Sequence, residues 1–205
     1  MKKFFNKLFF GLNLTWAKVL LLSFISAVYI AAVLVIPFTV NTSLAASGTT
    51  FELWILFALV IIMNSNNPIE AGLKTFVFFL VSQPLIYLLQ VPFSYLGWNI
   101  FMFYPKWFIL TLLTFPGSIV AWYIKKDNIF SVLILFVATA LLVYLGKYYF
   151  AYVVNRFPFY SLAMLFCFIQ AFGLEFILLK NKTNKIICFV LTLLSTILIF
   201  IFNII

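Results

Sequence analysis

The chain has 205 residues, 66% of them hydrophobic and only 8% charged. A soluble domain carries about 25% charged residues, so a soluble fold is set aside at once. The net charge of +9, from 13 Lys and Arg against 4 Asp and Glu, is spread between apolar runs rather than in a stripe. That argues against nucleic acid and for a lipid bilayer with anionic headgroups as the partner.

Apolar runs of about twenty residues recur, the signature of membrane-spanning helices. The fold class read from them is all-α: a polytopic integral membrane helical bundle, a single domain over residues 1–205. It has about seven transmembrane helices, near 19–40, 49–66, 68–91, 107–124, 128–145, 158–179 and 186–205.

Residues 1–15 place Phe5, Leu8, Phe9 and Leu12 on one helical face, with Lys3, Asn6 and Lys7 largely opposite. Two readings stand: a helix lying in the headgroup plane, or a basic lead-in that orients the first span. That span is longer than the 7–15 apolar residues usual in a signal peptide, so it reads as retained. Ser23, Ala27 and Ala31 recur every four residues and form a stripe of small residues. Such a stripe serves close helix packing, or the docking of a membrane protein partner.

The second span is short, because Phe51–Met63 covers only about 20 Å at 1.5 Å per residue. Glu52 sits near its start, where a helix N-terminus tolerates an anion. Asn67-Pro68-Ile69-Glu70 then reads as a helix start, with Asn67 as N-cap and Glu70 completing a capping box. Glu70 and Lys74 stand in the favoured order for an ion pair. Residues 92–107 are rich in Trp and Tyr, which suits an interfacial anchor or a lid over a site. Asp127 is expected to cap the fifth span. Residues 146–159 read as a second aromatic loop, and 180–185 as a basic turn. The seventh span has no charge and is expected to face lipid.

Orientation follows from the basic residues. With the N-terminus inside, the inner side collects Lys2, Lys3, Lys7, Lys18, Lys74, Lys125, Lys126, Lys180, Lys182 and Lys185. The outer side holds Lys106, Lys147 and Arg156, which favours this threading and puts the C-terminus outside. Localisation in a plasma membrane, of a bacterium by its size and composition, is the corresponding expectation.

Chemistry is sparse. There is no histidine, no paired carboxylate motif and no metal-ligand spacing at Cys167 or Cys188. The chain therefore reads as a non-enzyme without cofactor or metal. Pro84 and Pro116 are expected near mid-membrane on adjacent antiparallel helices, each freeing a carbonyl, those of Leu80 and Leu112. With Gln83, Tyr87, Gln90, Thr111 and Thr114 they form a candidate solute-binding set, since interrupted helices often hold transported substrates. The plain alternative is kinked helices satisfied locally by Thr111, Thr114 and Ser82. Glu175 lies on a small-residue face with Ala163, Cys167 and Ala171. It is read either as an ion pair with Lys74 or Lys125, or as a coupling group. The function expected is a small-solute transporter, or the substrate-binding membrane subunit of one. The alternative is a non-catalytic accessory or scaffold protein.

Overall fold

A computed structural model describes residues 2–202. Among these the fold is all-helical, with α1 (Lys2–Phe10), α2 (Trp16–Val35), α3 (Ser43–Thr49), α4 (Phe51–Met63), α5 (Pro68–Gln90), α6 (Tyr104–Ala121), α7 (Ile129–Arg156), α8 (Ser161–Leu178) and α9 (Lys182–Ile201). Short 3-10 turns fill Pro37–Thr39, Gly97–Phe103 and Trp122–Lys126. Six helical segments are long and apolar enough to cross a membrane, or seven if α3 and α4, bent by 60°, make one traverse. Large apolar side chains stay exposed along these helices, among them Leu21, Phe24 and Ile25 on α2, Leu113 on α6, Val137 on α7 and Leu194 on α9. Soluble monomers rarely expose contiguous patches of this kind, and hydrocarbon is the solvent that suits them.

The chain's contacts divide it into two compact units. The first comprises Lys7–Val40 and Ala58–Trp122. Thr15 caps α2, accepting from the Lys18 amide, and the helix ends at Ile36, just before Pro37. Along α2, Ser23, Ala27 and Ala31 are buried, and α2 packs against α5. The small-residue stripe is thus buried within the chain. Asn64 then ties the end of α4 to the start of the chain: its Nδ2 donates to Leu8 O at 2.7 Å and its Oδ1 accepts from Leu12 N at 2.8 Å. The chain has travelled the length of α2, some 30 Å by its rise, and α3 and α4 have brought it back.

Asn67 caps α5 by accepting from Glu70 N, with Pro68 in the first turn. The reciprocal bond differs from a plain capping box: Glu70 Oε2 accepts from Asn66 N, one residue earlier than expected. Antiparallel to α5 lies α6. At Gly72 the two backbones approach closely, and a Cβ there would sit 2.8 Å from Ile119 Cγ1 and 3.0 Å from Phe115 O. Trp122 Nε1 closes the unit by donating to Ser65 O at 3.0 Å.

The second unit comprises Asn41–Phe57 and Tyr123 onward, with the first residues of the chain. Asn128, not Asp127, caps α7, in a capping box with Ser131. Asp127 instead adopts a positive φ of 50° and staples the turn before α9. Its Oδ2 accepts from Lys180 N (3.0 Å) and Asn181 N (2.5 Å), and Asn184 Nδ2 donates to its carbonyl at 2.6 Å. The expected loop at 146–159 is corrected as well, since α7 runs on to Arg156. Gly146 is no terminator: a Cβ there would meet the Phe168 ring of α8 at 2.9 Å, so the glycine lets α7 and α8 pack. Beyond it Tyr149 stacks on Tyr160 (6.0 Å, 14°), and both rings lie over a core of Ala46, Leu145, Ala163 and Cys167. α9 packs mainly on α7 and keeps most of its surface exposed. The last three residues of the expected seventh span, 203–205, lie outside the described residues.

Candidate functional site

Both α5 and α6 run through their prolines as unbroken helices. The pair's register is set by Gly72 against Phe115 and Ile119, and by the Tyr87 ring 6.0 Å from Tyr104. Position 84 therefore lies opposite about position 106, and position 116 opposite about position 74. The prolines stand roughly 15 Å apart along the pair by the helical rise, so they do not form one mid-membrane break.

Nor are the freed carbonyls satisfied as supposed. Thr111 donates to Trp107 O (2.9 Å) and Thr114 to Thr111 O (2.6 Å). Gln90 Nε2 donates to Ile86 O at 3.0 Å, and Tyr87 is buried against the Phe101 and Tyr104 rings. The aromatic segment after α5 thus packs its Phe101 onto the helix, while Tyr95 and Trp98 stay exposed.

What α5 does carry is a buried polar stripe. Thr75 and Ser82 are fully buried and Gln83 is 4% exposed. Thr75 Oγ1, Ser82 Oγ and Gln83 Nε2 have no hydrogen-bond partner. Thr75 and Ser82 stand two turns apart on one line, and Gln83 is the next position around the helix. The stripe extends about 12 Å along α5. At its cytoplasm-expected end Lys74, 5% exposed, is held by the Glu70 carboxylate, by Leu14 O at 2.5 Å and by the Trp16 ring face at 5.9 Å.

Lys74 is thereby committed to Glu70 and not to Glu175. Glu175 is fully buried in the second unit. Its Oε1 accepts from Thr192 Oγ1 on α9, whose oxygen lies 2.9 Å from Thr139 Oγ1 on α7. Its Oε2 has no partner. Side chains lean toward a helix's N-terminus, so this carboxylate points back along α8, away from the basic 180–185 turn. That lean, which one-dimensional spacing does not display, is why the expected lysine pair does not form at Glu175. Lys125 lies in the 3-10 turn before α7.

Two further polar groups belong beside these: Glu52, read from the sequence only as an anion tolerated at a helix start, and Gln170, which that reading did not single out. Glu52 is also fully buried, accepting from Thr50 Oγ1 (2.5 Å) and Tyr149 OH (3.0 Å). Gln170 on α8 is buried with neither amide atom bonded. Both were visible as polar residues inside apolar runs, the default marker of function or packing glue in a membrane.

No family model, no curated protein and no solved structure matches the chain. Among the described residues no group of three His, Cys, Asp or Glu could hold a metal ion. The described residues form an all-helical bundle whose long apolar helices are compatible with a membrane protein, with buried hydrogen-bonding groups in each of its two units.

Proposed function

We propose that the protein binds and moves a small, partly apolar solute across the bilayer, alone or as the membrane subunit of a larger transporter. The observation that carries this reading is the α5 stripe. Three buried groups on one helix, Thr75, Ser82 and Gln83, keep hydrogen-bonding capacity that no protein atom uses. Each such group costs about 1–3 kcal/mol if nothing bonds it, and native proteins leave few. A solute with a donor and acceptors, or the water that precedes it, supplies the missing partners. The bulky apolar side chains around the stripe, Phe78, Phe79 and Ile86, favour a solute with an apolar body.

The threading that goes with this function has seven spans, with α3 and α4 together making one. The return of Asn64 to Leu8 and Leu12 supports counting the bent pair so. The basic residues put the N-terminus in the cytoplasm and the C-terminus outside, with a bacterial plasma membrane as the location. Thiol labelling tests both proposals in one set of variants. Ser82→Cys should react with a water-soluble reagent, whereas Lys182→Cys should react only after cells are permeabilised. Labelling of Lys182→Cys in intact cells would reverse the threading. An inert Ser82→Cys would favour an accessory protein with a dry interior.

A further inference from the structure

We propose that Glu175 is an occluded proton-binding site, with the proton as its ligand and the Thr192–Thr139 hydroxyl pair as its hydrogen-bonding support. The protons available to this cluster can be counted. Three oxygen–oxygen contacts run in series: Glu175 to Thr192, Thr192 to Thr139 at 2.9 Å, and Thr139 to Phe136 O at 3.0 Å. Two threonines supply two hydroxyl protons. With an ionised carboxylate, one of the three contacts has no proton in it. With a neutral acid every contact has one: Glu175 donates to Thr192, Thr192 to Thr139, and Thr139 to the Phe136 carbonyl. Loading the proton reverses the direction of the whole chain and leaves each donor with an acceptor.

The surroundings point the same way. Glu175 is fully buried, and beyond Thr192 only the weak thiol donor of Cys188 meets its carboxylate, with no hydrogen bond closed at Oε2. An ionised carboxylate in that state is among the costliest groups to enclose, while a neutral acid leaves only a carbonyl oxygen unpaired. The elements packed on α8 are α7, α9 and α3. From α9 the titratable group meeting Glu175 is Cys188, whose thiol also lies 3.9 Å from Val132 O. Lys182 and Lys185 occupy the first turn of α9, ten and seven residues before Thr192. On α7 the buried Tyr149 is engaged by Glu52 and Thr50, and Lys147 lies near the other end, eight residues past Thr139. α3 carries no titratable side chain. Among the described residues no lysine or arginine is ion-paired with Glu175. Glu52 differs in its place: both of its oxygens lie against a hydroxyl, and it stands in the first turn of α4, where the helix dipole favours an anion.

This proposal rests on the contacts of Glu175 and not on the α5 solute site, so either can fail without the other. The test is infrared spectroscopy of the full chain in lipid bilayers at neutral pH. The carbonyl stretch of a neutral carboxylic acid should be present. One component of it should vanish in Glu175→Gln and shift in frequency in Thr192→Val, while Glu52→Gln retains that component. Should Glu175→Gln not fold, isotope-labelled glutamate decides. The chain has only Glu52, Glu70 and Glu175, and a label-sensitive band that also responds to Thr192→Val belongs to Glu175. A spectrum with no neutral-acid band, or with one indifferent to both Glu175→Gln and Thr192→Val, overturns the proposal.

Discussion

Gly72 offers the sharpest mechanical prediction. Replacing it with alanine puts a methyl group 2.8 Å from Ile119 Cγ1, 3.0 Å from Phe115 O and 3.1 Å from Phe115 Cδ2. The isoleucine and phenylalanine side chains can turn away. The Phe115 oxygen is backbone of α6 and moves only if the helix moves. Overpacking of this sort costs about 1–3 kcal/mol. Alanine also gains helix propensity, up to about 1 kcal/mol in water, and less in a bilayer where separated helices stay helical. Gly117→Ala isolates that second effect, because nothing lies within 4 Å of a Cβ there. The quantity to measure is therefore the difference between the two variants, in a denaturing-detergent titration of the purified protein. Gly72→Ala should be less stable than Gly117→Ala by about 1–3 kcal/mol. Gly146→Ala should fall between them, since its new contact is the tip of the Phe168 ring. Equal stability of the Gly72 and Gly117 variants would refute the close approach of α5 and α6, and with it the register that separates the two prolines.

The remaining predictions concern polar anchors. Lys74→Met should cost about 3 kcal/mol, the low end for breaking a buried pair, because the Glu70 side chain remains 19% exposed. Adding Glu70→Met should recover part of the loss in the same titration; no recovery would mean the pair is not the reason. Asn64→Leu removes the bond to Leu8 within α1 and the bond to Leu12 just after it. Amides around Leu12 should then exchange with solvent at least several-fold faster, and unchanged exchange would show that α1 is held by other contacts.

The helices of this protein were legible wherever local chemistry alone decides. Asn67-Pro68 starts α5 because cap and proline act within one turn. Pro37 and the basic 180–185 turn likewise mark where apolar runs stop. Legibility failed where a residue serves a neighbour distant in sequence. Gly146 resembles a helix end until Phe168 is seen beside it, and Asp127 resembles a cap until the 180–184 turn folds onto it. The candidate site follows the same rule. Pro84 and Pro116 were conspicuous, but their relative height depends on the α5–α6 register, which Gly72 sets from outside either proline's surroundings. Thr75 was not singled out, and Ser82 only as a hydroxyl for its own helix near Pro84, because a hydroxyl in a spanning helix normally bonds its own backbone; that these two do not is a property of the fold. Glu175 was noticed for its position in the sequence, and the lean of its side chain assigned it a different partner.

Whether water and a solute reach the α5 stripe is measured most directly by thiol reactivity at Ser82. The wild-type chain, with the free thiols Cys167 and Cys188, supplies the blank. Leu113→Cys, exposed on the outer surface of α6, reports a lipid-facing position. In membranes treated with a small charged thiol reagent, Ser82→Cys should label faster than either, and a bound solute should slow it. If Ser82→Cys labels no faster than the wild type, the stripe is dry and the transport account is wrong.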